Sequence, residues 1–290
     1  METIKDNNVE KVKSILSGAN KKNININLDK IVIIETIITN NTNMVKLLID
    51  YADENNIKLE LNEKDADGNY PLLWAIAYDN IKIVELLIEY AINNNIILNI
   101  DEKNRQNNYP LLKAFQNDNL EIFDLLMIYA YACQYNFNLE LNDKDNDGWY
   151  PLLCAVYNNN MEMVKKLRSY AFNNGIPLEL NEKNKIGIYP LLMAVAHNNI
   201  NMFKYLKKYA NKNNIILKLN EKDNNGVYPL LLAIEQNSFK MIELLINYAN
   251  DKNIVLELKE KDIENEISKN NTENNEYSIK SISNIDNKII

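Results

Sequence analysis

One histidine, His197, and two cysteines, Cys133 and Cys154, stand in a chain of 290 residues. Nucleophilic or metal chemistry would start from these three side chains. A lone His can act as a general base, yet no Ser or Cys motif surrounds this one. The cysteines have no second Cys or His at metal-ligand spacing. Two cysteines also make no disulfide framework. Only six glycines are present, and they form no phosphate-cradling loop. Carboxylates recur around a lysine, as in Glu63-Lys64-Asp65, without the spacing of a calcium loop. No constellation for general acid–base work emerges. The expectation is a chain that is not an enzyme and has no catalytic residue, cofactor or metal, with His197 a surface residue at a helix end. The rival reading is an enzyme or small-molecule sensor working around His197, which a turnover abolished by His197→Ala would establish.

The formal net charge of −8 argues against a nucleic-acid partner, which needs a basic stripe to displace counterions. It argues equally against docking on an anionic membrane. The first residues, "METIKDNNVEKVKS", are polar and carry acids, unlike a signal or transit peptide. The most apolar run, Ile31 to Ile38, is broken by Glu35 and is too short to span a bilayer. A reduced intracellular compartment is the expectation, the cytoplasm first with the nucleus left open. Asparagine is abundant, 54 residues, and mostly falls at fixed places in a repeat, which makes it a loop and cap residue.

That repeat is what must position any site. Tyr-Pro-Leu-Leu units place prolines at 71, 110, 151, 190 and 229, spaced by 39, 41, 39 and 39 residues. Pro71 suits the first turn of a helix, where its missing N–H would have no partner. Leu72, Leu73, Ala75 and Ile76 give that helix an apolar face. "YDN" breaks it, and Ile81, Val84, Leu87 and Ile88 restart a helical period. Ile57, Leu59 and Leu61 alternate at period two before a polar turn, "NEKDADG". Neither helix can cover its apolar face alone, so neighbouring units must stack in one dimension.

The pattern Gly68-x-Tyr70-Pro71-Leu72-Leu73-x-Ala75 resembles the ankyrin repeat's G-x-T-P-L-H-x-A. "NIKIVELLI" is similar to the family's second-helix run, and "LNEKDADG" to its finger. The resemblance covers roughly residues 4 to 262 and implies an all-α, ankyrin-like helical solenoid with short β-hairpin fingers between repeats. The expected divisions are a half-unit 1–29, a degenerate unit 30–68, units 69–107, 108–148, 149–187, 188–226 and 227–262, and a polar, mobile tail 263–290. Within the tail, Tyr277 to Ile285 is a segment able to fold back as a cap or hold a partner. Two features depart from the family. Tyr and Leu replace its Thr and His, so the inter-repeat contact must be more apolar. Its usual unit has about 33 residues, and these have 39 or 41.

A tyrosine column explains the length. Gly18 stands where the first half-unit's helix would stop, while later units carry Tyr51, Tyr90, Tyr129, Tyr170, Tyr209 and Tyr248 there. Tyrosine is a poor left-handed stop. The second helix should therefore run about one turn further, to Asn56, Asn95, Asn136, Gly175, Asn214 and Asn253. These tyrosines, with the five that precede the prolines, read as packing ladders.

In an ankyrin-like stack the finger tips and first-helix ends line a concave face, and the residues that vary there carry function. Most are small and polar. Tyr78, Arg105, Trp149, Tyr157, Ile186, Ile188 and His197 stand out as a protein-binding set, while Trp74 is expected to pack. The resemblance implies a scaffold that recognises another protein. An adaptor that holds a client for an enzyme, or an inhibitor that blocks one, is the alternative. A monomer is expected.

Overall fold

The computed structural model describes residues 4, 6–22, 24, 26–133 and 141–258. The expected tail, and Asn136, lie outside these. The described residues contain thirteen helices of more than one turn and no strand. The chain forms two compact units, Met1–Asn146 and Asp147–Ile290.

Unit 1 holds α1 (Val9–Lys21), α2 (Lys30–Ile38), α3 (Thr42–Glu54), α4 (Pro71–Ala77), α5 (Ile81–Asn93), α6 (Pro110–Gln116) and α7 (Leu120–Ala132). The short helices α2, α4 and α6 pack in one row, and α1, α3, α5 and α7 in a second. Unit 2 holds α8 (Pro151–Tyr157), α9 (Met161–Asn173), α10 (Pro190–Ala196), α11 (Ile200–Lys212), α12 (Pro229–Glu235) and α13 (Phe239–Lys252). There α8, α10 and α12 form the row of first helices. Each unit is thus a stack of antiparallel helix pairs, a helical repeat architecture.

The local chemistry explains why every pair is alike. Proline opens each seven-residue first helix of the repeating kind. Asn80, Asn119, Asn160 and Asn199 cap the following helices, their side chains accepting from Ile83, Ile122, Met163 and Met202 N–H. The residue before each of these caps, such as Asp79 or Asn198, has positive φ, which Asn and Asp tolerate best. Cap amides also tie successive repeats: Asn80 Nδ2 donates to Asn40 Oδ1 at 2.7 Å, and Asn199 Nδ2 to Asn159 Oδ1 at 2.6 Å. Part of the asparagine abundance is this capping scheme, written once per repeat.

The tyrosines are buried clamps. Tyr70 and Tyr150 donate their hydroxyls to the Glu102 and Glu182 carbonyls in the next finger, at 3.0 and 3.1 Å. Burial, with Glu102 and Glu182 nearby, pushes both phenols well above their ordinary range. The second ladder reaches the other way. Tyr90 OH donates to Ile57 O at 2.9 Å and accepts from Leu59 N–H at 3.2 Å. Buried hydroxyls that both give and take lose little on leaving water.

The long second helix is present. α3, α5, α9 and α11 each run three residues past their tyrosine, and Asn56, Asn95, Gly175 and Asn214 follow with φ between 52 and 67°. The reading of Gly18 is overturned. α1 passes through Gly18 to Lys21, thirteen residues like the others, and Ile24 N–H closes it on Ala19 O as Ile57 closes α3 on Ala52 O. The N-terminal unit is shorter for another reason. Eight residues join α1 to α2, where sixteen join α3 to α4, so it lacks the finger. The fingers are tight turns, closed by bonds such as Asp65 N–H to Asn69 O at 2.8 Å and Gly68 N–H to Asp65 O at 3.1 Å, and not paired strands. Asp65 Oδ1 holds that turn by accepting from Asp67 and Asn69 N–H, both at 2.9 Å.

Candidate functional site: the finger and first-helix edge of unit 2

Five of the seven predicted residues fall in unit 2, on two successive repeats. Trp149 ends one finger and Tyr157 ends the helix behind it, α8. Their rings meet edge to face with centroids 4.9 Å apart. Tyr157 remains 45% exposed, and Trp149 is half-buried. His197 caps the next first helix, α10, and its Nε2 lies 2.7 Å from the Tyr157 carbonyl. A carbonyl only accepts, so Nε2 carries a proton. His197 therefore ties one repeat to the next, as Gln236 does by donating to Ala196 O at 2.7 Å. Ile186 and Ile188 stand on the neighbouring finger, Ile186 54% exposed. The two fingers are joined by Lys185 N–H donating to Asp147 O at 2.9 Å.

The other two predicted residues lie in unit 1. Tyr78 stacks on Trp74 with centroids 5.7 Å apart, and Arg105 is exposed at the tip of the next finger. Among the described residues no hydrogen bond or ring contact joins Arg105 to Tyr78. Trp74 does more than pack: its indole N–H donates to Asp65 Oδ2 at 2.8 Å. Cys154 is buried and Cys133 half-buried, both free thiols. Among the described residues no group of three or more His, Cys, Asp or Glu side chains could hold a metal ion, and no helix is long and apolar enough to cross a membrane.

One residue of the site escaped the sequence reading. Asn184 is 6% exposed at the base of the second finger, where its Oδ1 accepts from Ile186 N–H at 3.2 Å and Ile188 N–H at 2.9 Å. Its Nδ2 is buried without a partner. The counterpart in unit 1, Asn104, makes the same turn, and its Nδ2 donates to Asn69 Oδ1 at 2.7 Å. Trp149 occupies the Asn69 column. The tryptophan thus stands where an acceptor belongs, and an unmade buried hydrogen bond costs about 1–3 kcal/mol. The fingers are close enough for this to matter, since a Cβ on Gly148 would come within 2.8 Å of Asn184 Cα.

The sequence model described as ankyrin repeats in three copies matches residues 1–97 and 172–255, and a second, for ankyrin repeats in many copies, matches 131–168. The chain belongs to the ankyrin-repeat family, whose domains generally mediate protein–protein interaction. No curated protein matches. Solved structures match about three quarters of the chain. An ankyrin repeat domain from Acinetobacter baumannii AYE is 19% identical with a TM-score of 0.52, covering 76% of this chain and 99% of its own. The ankyrin repeat domain of Bcl-3, a member of the IkappaB family, is 18% identical with a TM-score of 0.51, covering 74% and 85%. The ankyrin repeat protein EF0377 is 20% identical with a TM-score of 0.53, covering 76% and 98%. At these identities the likeness establishes the fold.

Proposed function

We propose that this chain is a non-enzymatic intracellular scaffold that recognises another protein through the finger and first-helix edge of unit 2. The unpaired Asn184 amide beneath Trp149 carries the reading. A repeat that only had to stack would keep asparagine in the Trp149 column, as unit 1 does at Asn69. Placing a large, half-exposed ring there leaves a buried donor unmet, and that cost fits a residue retained for contact. Trp149, Tyr157, Ile186 and Ile188 supply aromatic and branched surface, and truncating such anchors in interfaces typically costs about 2 kcal/mol each. His197 and Asn184 hold the surface in place before the partner arrives, so little entropy is lost on binding.

The test is affinity purification with mass spectrometry from the native cell, comparing wild type with a Trp149→Ala, Ile188→Ala double variant whose helical circular dichroism is unchanged. The double variant should lose a defined set of proteins. An unchanged set would remove this surface from consideration.

A further inference from the structure

The charge of four second helices, α5 and α7 in unit 1 and α9 and α11 in unit 2, divides between the units. In unit 2, α9 and α11 together carry Lys165, Lys166, Arg168, Lys204, Lys207, Lys208 and Lys212 against a single carboxylate, Glu162, in a chain whose net charge is −8. In unit 1 the neighbouring pair α5 and α7 carries Glu85, Glu89, Glu121 and Asp124 against Lys82. Part of the cationic excess is used locally. Arg168 stacks on Tyr205 at 5.4 Å, Lys207 pairs with Asp251 at 3.2 Å, and Lys212 lies 4.7 Å over Phe172. Lys165, Lys204 and Lys208 are exposed, and among the described residues no carboxylate pairs with them. Crowding like charges on adjacent helices is unfavourable unless an opposite charge meets them.

The opposite charges fall in the same columns of the repeat. Glu85 and Asp124 occupy, in successive repeats of unit 1, the positions that Lys165 and Lys204 occupy in successive repeats of unit 2. Asp50 and Glu89 likewise match Lys208. Glu85 and Asp124 are one repeat spacing apart, as are Lys165 and Lys204, so two carboxylates of one copy match two ammonium groups of another in register.

We propose that the second helices of unit 2 dock on those of unit 1 in a second copy of this chain. This replaces the monomer expected from sequence. It uses a different face from the recognition edge, so the two readings can fail separately.

Sedimentation velocity of the full chain, over a range of concentrations in about 20 mM and about 500 mM salt, tests it, because high salt screens such contacts. Wild type should exceed monomer mass at low salt and associate roughly tenfold or more weakly at high salt. Lys165→Glu with Lys204→Glu sets carboxylates against the Glu85 and Asp124 carboxylates, and Glu85→Lys with Asp124→Lys sets ammonium groups against Lys165 and Lys204. Each double variant alone should remain a monomer, and a mixture of the two should associate again. A wild type that is monomeric at every concentration and both salts overturns the proposal. So does a Lys165→Glu, Lys204→Glu variant that associates as wild type does. A monomeric wild type that retains a short poly-glutamate probe also overturns it, and would assign the lysines to a foreign acidic segment.

Discussion

In the proposed function recognition turns on Trp149, and Trp149 is coupled to Asn184. Asn184 cannot turn its amide round, because its Oδ1 already holds two backbone N–H groups of its own finger. Its Nδ2 therefore waits for an acceptor that the Asn69 column supplies in unit 1 and Trp149 does not. Trp149→Asn should be more stable than Trp149→Ala by about 1 kcal/mol. That difference should disappear when Asn184 is also changed to Ala. Urea denaturation of the four variants measures it, and equal stabilities for the Asn and Ala variants would break the argument. The sequence showed Trp149 as an odd residue in a polar column. It did not show the orphaned donor, since that requires knowing that Asn69 and Asn104 meet across 35 residues of chain. His197 was legible as a surface residue at a helix end, but its bond to Tyr157 O joins residues 40 apart and lay beyond local pattern.

At the scale of the element, the second helix was read well and for partly the wrong reason. The tyrosine column does mark a helix that continues, and the Asn or Gly that follows does stop it. The comparison with Gly18 misled, because a glycine at one column need not be a stop when the hydrogen bonds of the next turn are available. Gly18 instead lies inside α1, where it only adds freedom to the unfolded chain. A Cβ there would meet no atom within 4 Å. Gly18→Ala should therefore stabilise the chain by about 0.5–1 kcal/mol in thermal or urea unfolding. A destabilised variant would restore Gly18 as a helix terminus. The fingers were legible as polar turns, but the expected strand pairing was not formed. Each finger is held by one Asp or Asn side chain, so few backbone groups are left to build a ladder.

For the whole molecule, repetition separates two tasks. Columns shared by the five Tyr-Pro-Leu-Leu repeats, the prolines, leucines and both tyrosine ladders, are buried or half-buried and pack within the stack. Columns that differ are left at the edges, and in unit 2 two successive repeats fill them with aromatic and branched side chains. Periodicity made the shared columns readable from sequence alone. The identity of the partner has no such signal, because the proposed surface is assembled from single residues of different repeats. The most direct measurement of the central claim replaces Ile186, on a finger of unit 2, with a photoreactive amino acid in the native cell. Ile216, exposed on the segment after α11, serves as the comparison site. The account predicts covalent adducts with a protein other than this chain from position 186 and none from position 216. Adducts confined to position 216 would contradict it.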